Sequence, residues 1–269
     1  MERIKRALEL ARTQRESPAA QPGGISSAEV TVPAEPERHA WRTPVVPVDR
    51  AHLQRERILD ANESGAAAAP YKMLRTQVLR RLEQLGATTL AIVSPRAHDG
   101  KTLTAINLAI SLAADPNRTT LLVDFDLRRP QVAARFGLTP AVGVEQCLEE
   151  KVPVEQGLVR PEGYGRLTLL PAGAAVAHSS ELLGSARTGE LVREIRSRYA
   201  NRIVLFDLPP VLEADDALAF SRHVEAALVV ITEGRTRRED VTRTLQLLGQ
   251  TPVVGTLLNG SREVPGSYY

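Results

Sequence analysis

Short apolar segments alternate with amphipathic segments through most of this sequence, from residue 71 to residue 258. Six segments are nearly continuous in apolar residues, at positions 89–94, 120–124, 167–170, 202–207, 227–232 and 253–258. A continuous apolar run of this length is typical of a strand that is covered on both faces of a sheet. Apolar residues at helical spacing flank these runs, at positions 71–85, 102–114, 188–199 and 237–248. The alternation predicts an α/β fold with a doubly wound, mostly parallel sheet and right-handed crossovers.

The composition is ordinary for a soluble globular protein, with 43% hydrophobic and 25% charged residues among 269. The net charge is only +2, so we expect no nucleic-acid partner. The single cysteine, Cys147, cannot form an internal disulfide, which fits a reducing compartment. No segment approaches the roughly 18 apolar residues of a membrane-spanning helix. We therefore expect a cytoplasmic protein that associates with a membrane only through a partner.

The sequence divides into four regions. Residues 1–16 carry apolar side chains at helical spacing and predict a short amphipathic helix. Residues 17–69 form a predicted linker and lead-in, because their first part is rich in Pro, Gly, Ser and Ala. Residues 70–260 form the predicted α/β domain. Residues 261–269 form a tail that contains Pro265 and Gly266 and ends in two tyrosines. We expect this tail to be flexible.

A phosphate-binding loop is predicted between the first strand and the helix that follows it. The pattern G-x-x-x-x-G-K-[ST] is met at Gly100, Lys101 and Thr102, with Pro95 at the position of the first glycine. Backbone N–H groups at the start of a helix bind phosphate, and a lysine reaches the β and γ oxygens. An ordinary strand-to-helix turn is the alternative for this short match taken alone. The predicted nucleotide contacts are Ala97, His98, Asp99, Gly100, Lys101, Thr102 and Leu103.

Acidic residues end two of the predicted strands. Asp124 and Asp126 lie two residues apart, so their side chains point the same way if the segment is extended. Asp207 ends the segment at 202–207, and we expect its carboxylate to support a magnesium ion. Taken singly, each acid could be a helix cap or a solvated strand end. Together with Lys101 they predict one site for metal-assisted phosphoryl chemistry, because ligands bind at the carboxyl ends of parallel strands.

Several longer motifs identify a family. They are Tyr71-Lys72-Met73-Leu74-Arg75-Thr76, Asn107-Leu108-Ala109 after the Gly-Lys-Thr loop, Asp124-Phe125-Asp126-Leu127-Arg128-Arg129-Pro130, Phe206-Asp207-Leu208-Pro209-Pro210-Val211, Asp216-Ala217-Leu218 and Gly255-Thr256-Leu257-Leu258-Asn259. From about residue 71 to 260 the chain resembles bacterial tyrosine autokinases of exopolysaccharide loci, in particular the cytoplasmic type of exosortase-associated (PEP-CTERM) loci. The resemblance implies a P-loop NTPase fold with Walker A, A′ and B motifs, close to that of partitioning ATPases.

The resemblance also implies the reaction and its participants. Relatives use ATP and Mg²⁺ to phosphorylate tyrosines in the tail of a neighbouring copy, so Tyr268 and Tyr269 are the expected phosphoacceptors. A frayed terminus without a role is the alternative for this tail. The expected partners are further copies of the chain and a membrane-embedded chain-length-determinant or activator protein. Where relatives carry the ring-assembly motif Glu-x-x-Arg-x-x-Arg, the matching positions of this chain are Ala69, Lys72 and Arg75, so the glutamate is missing.

By the same resemblance, the expected roles of the site residues can be divided into three groups. Lys101, Asp124 and Asp126 assist phosphoryl transfer; Thr102, Asp124 and Asp207 support the metal; and Asn259 contacts the adenine. Asp124 is the residue chosen to accept the tyrosine proton. His98 stands in the loop where a positive φ is expected and a small residue is usual. Arg128 and Arg129 either act on a ligand, by neutralising phosphate or binding an acidic partner, or pair with local acids.

Two other functions remain open at this point. One is an ATP-hydrolysing assembly or positioning switch of the partitioning-ATPase class, which would release phosphate without forming phosphotyrosine. The other is a degenerate nucleotide-binding module, in which the loop that contains His98 holds ADP or nothing. Binding of Mg-ATP and its loss in Lys101→Ala would argue against an empty site.

Overall fold

Six parallel strands form the central sheet, in the order β5-β3-β6-β2-β7-β8. The computed structural model describes residues 43–63, 65–149, 152–198 and 201–261. In chain order the strands are β1 Val45–Val46, β2 Thr89–Val93, β3 Thr119–Asp124, β4 Arg160–Pro161, β5 Leu167–Leu170, β6 Arg202–Asp207, β7 Ala226–Thr232 and β8 Val253–Asn259. The strand order reverses beside β2, so the carboxyl ends of β2, β3 and β6 lie at the switch point where ligands bind in such sheets.

Helices cover both faces of this sheet. They are α1 Arg50–Arg55, α2 Ala68–Leu85, α3 Lys101–Ala113, α4 Val132–Phe136, α5 Val144–Leu148, α6 Val154–Gly157, α7 Ser179–Leu183, α8 Ala186–Ser197, α9 Asp216–Phe220 and α10 Arg238–Leu248. Side chains alternate along β2, so that Leu90 and Ile92 pack with the α2–α3 side while Ala91 and Val93 pack with the side of α8 and α10. Two apolar cores result, one on each face of the sheet.

The fold predicted from the apolar pattern is confirmed. Each of the six predicted strands exists within a residue or two of its predicted ends, and all six run parallel. The four predicted long helices are present, and α2 ends at Gly86 in a left-handed conformation with φ +63°. The short helices α4 to α7 and α9 were not predicted, because four or five residues are too few to show a helical period.

Residues 43–63 form a segment that we call the N-terminal strap. The sequence places it in the linker and lead-in, yet it contains α1, and Leu53, Ile58 and Leu59 are buried in the core on the α2–α3 side. Strand β1 pairs with β4, and the Tyr164 hydroxyl donates a hydrogen bond to Leu59 O at 2.8 Å. The lead-in thus contains packed structure from α1 onward, where the proline-rich composition has already ended, and the division into linker and domain stays a prediction.

Some predicted elements lie outside the described residues. These are the amphipathic helix at 1–16, the proline-rich residues up to 42, and the tail after Ser261 with Tyr268 and Tyr269. Among the residues that are described, no helix combines the length and the apolarity needed to cross a membrane.

Candidate active site

The predicted phosphate-binding loop joins β2 to α3, and its backbone takes two unusual turns. His98 has φ +65° and Gly100 has φ +87°, both in the left-handed region. A Cβ at Gly100 would lie 1.9 Å from Asn259 Nδ2, so a larger residue would push the Asn259 side chain away from its hydrogen bond with Asp99 O. Glycine is therefore required here for both conformation and space. Helix α3 then begins at Lys101, which directs the N–H groups of its first turn to this loop.

Asp99 holds the loop in place from behind. Its backbone carbonyl accepts hydrogen bonds from Thr232 Oγ1 and Asn259 Nδ2, both at 3.1 Å. Its carboxylate accepts from Thr236 Oγ1 and from the backbone N–H of Arg96, also at 3.1 Å. Asp99 is buried, and neither it nor Asn259 lines the cleft described below. Both residues brace the loop, and their expected contacts with the nucleotide stay predictions.

Lys101 and the strand-terminal acids meet at the carboxyl ends of β3 and β6. The Lys101 ammonium donates to Asp126 Oδ2 at 2.8 Å and to Asp207 Oδ1 at 3.3 Å. Thr102 Oγ1 donates to the second oxygen of Asp207 at 2.6 Å. Asp124 and Asp207 are register neighbours on the adjacent strands β3 and β6. The sequence predicts this convergence, and the structure brings the five side chains together.

Asp124 is placed differently from Asp126. Its Oδ2 accepts from the backbone N–H groups of Gln131 and Val132 at 3.0 and 2.9 Å, and its Oδ1 accepts from Asp126 N at 3.2 Å. Asp124 is fully buried, whereas Asp126 lines the cleft. Asp124 thus fixes the turn that carries Asp126. Its expected roles as proton acceptor and metal ligand stay predictions.

Burial and crowding of the acids shape the electrostatics of the site. Burial raises the pKa of Asp124 to about 8, assisted by the nearby Asp207 charge. Burial also raises the pKa of Asp207. For Lys101, burial alone would lower the pKa, but Asp207 and Asp126 outweigh it and raise the pKa. One ammonium group therefore faces three carboxyl groups, and an added positive charge would stabilise their ionised forms.

This donor set fits a magnesium ion. In the described residues no three His, Cys, Asp or Glu side chains form a metal-binding group. Magnesium in P-loop proteins needs fewer protein ligands, because phosphate oxygens and water complete its octahedron. Thr102 and Asp207, joined by their hydrogen bond, are the residues that would hold such an ion. Its chemistry there would be neutralisation of the phosphate charge.

A cleft of about 620 Å³ opens in front of Lys101 and Thr102. Its walls include the loop residues Ala97, His98 and Gly100 together with Leu103, Asp126, Arg128, Arg129, Gln131, Pro209, Pro210, Glu213 and Ala214. The remaining wall consists of Arg55, Glu56 and Arg57 from the N-terminal strap and Arg135 from α4. The sequence did not predict that these residues belong to the site. No local motif marks these residues. Only the basic character of the three arginines was visible in the sequence.

Two arginines near the site have acidic partners. Arg96, in the loop, donates to both oxygens of Asp240 on α10 at 2.9 Å, which ties the loop to that helix. Arg128 donates to Asp216 at 2.8 Å and to Asp215 at 3.2 Å, so of the two open possibilities it pairs with local acids. Arg129 lines the cleft and has no carboxylate partner among the described residues.

The positions of the ring-assembly motif lie on α2. Ala69 and Lys72 are exposed, and Arg75 donates through Nη1 to Ser111 O of the same chain at 2.9 Å. Arg75, the arginine that this chain keeps from the motif, thus binds within its own chain. Assembly into a homo-oligomer stays a prediction.

No protein-family model matches the sequence. Individual proteins do match it. Tyrosine-protein kinase YwqD from Bacillus subtilis is 28% identical over 81% of this chain and 92% of its own length. The succinoglycan biosynthesis transport protein ExoP from Rhizobium meliloti is 31% identical over 63% of this chain, which spans only 22% of ExoP.

A solved structure extends the likeness to three dimensions. The crystal structure of the VpsO kinase domain superposes with a TM-score of 0.63 at 30% identity, over 71% of this chain and 93% of that domain. The exosortase-associated type stays a prediction. In fold and sequence, the chain belongs to the family of bacterial tyrosine-protein kinases.

Proposed function

We propose that this protein is an ATP-dependent protein-tyrosine autokinase that regulates exopolysaccharide synthesis or export. The observation that carries the proposal is the hydrogen-bonded cluster of Lys101, Thr102, Asp126 and Asp207 at the carboxyl ends of β3 and β6, of which the first three line the cleft. Phosphoryl transfer needs little covalent chemistry from a protein. It requires positioning of the reactants and neutralisation of charge, which these residues can supply.

In the proposed reaction a tyrosine oxygen attacks the γ-phosphorus of ATP. The bond from this phosphorus to the β–γ bridging oxygen breaks, a bond to the tyrosine oxygen forms, and ADP leaves. Lys101 and the N–H groups of the loop and of the first turn of α3 stabilise the phosphate oxygens. Magnesium, held at Thr102 and Asp207, would neutralise charge on the β and γ oxygens.

A carboxylate must take the tyrosine proton. Asp124 is the predicted acceptor, but its oxygens already bind three backbone N–H groups, whereas Asp126 reaches the cleft. Both residues are therefore candidates, and the variants Asp124→Asn and Asp126→Asn separate them. Loss of transfer with intact folding is expected for the acceptor. Asp124→Asn is also expected to loosen the turn after β3, which a melting curve would show.

The substrate and partners are proposed from family likeness. Tyr268 and Tyr269 are the proposed phosphoacceptors, presented to a neighbouring copy in a homo-oligomer. A membrane chain-length-determinant protein is the proposed activator, and it would bring this otherwise cytoplasmic protein to the membrane. The similarity of this chain to ExoP, a succinoglycan biosynthesis transport protein, supports the link to polysaccharide.

Transfer of labelled γ-phosphate from ATP tests the proposal. The wild-type protein should acquire phosphotyrosine, and both Lys101→Met and the double variant Tyr268→Phe/Tyr269→Phe should lose it. Label that persists in the double variant would show that other residues are the acceptors. Free phosphate without phosphotyrosine would instead support a partitioning-type ATPase switch. Failure of Mg-ATP to bind at all would indicate a degenerate module.

A further inference from the structure

We propose that Arg57, on the N-terminal strap, binds the terminal phosphoryl group of the nucleotide and stabilises the charge that develops on it during transfer. Arg57 would thus be an arginine that the chain itself supplies from the strap to a cleft built mostly from the α/β domain. The catalytic part of this inference, stabilisation of charge during transfer, rests on the proposed function. Its binding part concerns only the difference between the affinity of the protein for Mg-ATP and its affinity for Mg-ADP.

The first observation is that the strap is fixed directly to the helix that begins at the phosphate-binding loop. Asn107 on α3 donates through Nδ2 to Arg57 O at 3.0 Å, and its Oδ1 accepts from Leu59 N at 3.0 Å. Asn107 is 2% exposed, the bond that it accepts from Leu59 N is buried, and the bond that it donates to Arg57 O is partly buried. The buried side chains of Ile58 and Leu59 anchor the same turn in the core. The position of Arg57 relative to α3 is thereby fixed.

The second observation is that the contact between Asn107 and the strap lies on the side of α3 that lines the cleft. Asn107 lies six residues after Lys101, about 9 Å along the helix axis. Leu103, one turn before Asn107 on the same helix face, lines the cleft. Arg57 lines that cleft as well, together with Lys101 and Asp126. The strap therefore crosses the face of α3 that leads to the phosphate end of the site.

The third observation is the backbone of Arg57, which has φ +59°. Its N–H bonds Gln54 O, and the N–H of Ile58 bonds Leu53 O, so the turn after α1 closes as a left-handed helix end. Glycine or asparagine usually occupies such a position, because a β-carbon is strained there. Arginine is thus not the residue that the turn itself favours. A role for its side chain explains its presence better than folding does.

The fourth observation is charge. Arg135 pairs with Glu56 at 2.9 Å, but the Arg57 guanidinium has no carboxylate partner among the described residues. A guanidinium offers a planar fork of donors that matches phosphate oxygens. During transfer, charge is spread over the oxygens of the moving phosphoryl group, where an arginine is most effective. These properties indicate the terminal phosphate as the ligand of Arg57.

Arg57→Gly is the most informative variant, because it removes the side chain and relieves the backbone strain at once. We expect its melting temperature to equal or exceed that of the wild type. We expect calorimetry to show Mg-ADP affinity within about twofold of wild type, but affinity for a non-hydrolysable Mg-ATP analogue reduced roughly ten- to a hundredfold. The rate constant kcat for tyrosine phosphorylation should fall by about a hundredfold.

Two further variants serve as controls. Arg50→Ala changes an arginine of the same strap whose side chain is 82% exposed and which does not line the cleft, so ATP and ADP binding should be unchanged. Arg57→Lys keeps the charge without the fork and should recover only part of the lost affinity. If Arg57 had only a structural role, its replacement would change the affinities for both nucleotides alike, or would lower the melting temperature.

The outcomes separate this inference from the proposed function. Equal affinities of wild type and Arg57→Gly for the ATP analogue would overturn the role of Arg57, even if the protein is a kinase. Selective loss of the ATP analogue in Arg57→Gly, from a protein that forms no phosphotyrosine, would support the binding role and contradict the kinase proposal.

Discussion

The Lys101 ammonium donates a hydrogen bond to Asp126 Oδ2 at 2.8 Å, and both side chains are about nine-tenths buried. Lys101 must therefore leave or share Asp126 when it reaches a nucleotide phosphate. The same pair stabilises the protein before nucleotide binds, since Lys101 is the cation that faces Asp126 and Asp207. Removal of the ammonium should affect both stability and binding.

Lys101→Met should lower the free energy of unfolding by about 3 kcal/mol, because it leaves buried carboxylates without their cation. It should also abolish binding of Mg-ATP. Urea unfolding and calorimetry measure the two effects. Lys72→Met, at an exposed position on α2, is the matched control and should change neither. Unchanged stability of Lys101→Met would mean that the buried pair contributes nothing to the fold.

His98→Gly should stabilise the protein by about 1 kcal/mol, because His98 has φ +65° and glycine adopts this conformation without strain. The variant should retain Mg-ATP binding, since the loop keeps its shape. Thermal unfolding with and without Mg-ATP checks both statements. Ala97→Gly, at a neighbouring residue without a positive φ, should not stabilise. A lower melting temperature for His98→Gly would show that the imidazole stabilises the loop.

The bidentate pair of Arg96 and Asp240 should matter more for nucleotide binding than for stability. Arg96 has a side chain that is 55% exposed, so a double-mutant cycle with Arg96→Ala and Asp240→Asn should show only weak coupling in the free energy of unfolding. Either variant should nevertheless weaken Mg-ATP binding, because the loop loses its attachment to α10. Full wild-type affinity in both variants would show that the loop needs no such anchor.

Glu225 should make stability depend on pH in the acid range. Burial alone would raise its pKa, but hydrogen bonds from the N–H groups of Thr88 and Thr89 and the charge of Arg196 lower it below the usual value. A carboxyl group with a lowered pKa in the folded state stabilises the fold above its unfolded pKa. That contribution is lost as the pH falls through the folded pKa.

Glu225→Gln should therefore be less stable than wild type at pH 7, and the difference should shrink as the pH falls below about 4. Urea unfolding of both proteins across this range measures it. A difference that stays constant with pH would mean that the hydrogen bonds, and not the charge, carry the effect.

Sequence patterns predict the sheet and the acids of the site for a physical reason. Strands β2, β3 and β6 are buried on both faces and so appear as continuous apolar runs, and parallel strands bring Asp124 and Asp207 to the same edge. The spacing between Lys101 and these acids then follows from the fold, without any knowledge of the contacts themselves.

The strap and the anchors of the loop could not be predicted in this way. Leu53, Ile58 and Leu59 are buried but lie too close to the end of a proline-rich region to form a periodic pattern. The contact of Arg96 with Asp240 joins residues 144 positions apart, and no local signal marks either partner. Such contacts arise from tertiary packing, which a single sequence does not reveal.

A structure of the protein with Mg²⁺ and a non-hydrolysable ATP analogue tests the central claim most directly. The claim predicts that Lys101 Nζ contacts the β and γ phosphate oxygens, and that Thr102 and Asp207 hold the magnesium ion. A nucleotide bound elsewhere, or a Lys101 that keeps both carboxylate contacts while the phosphates lie outside the loop, would contradict it.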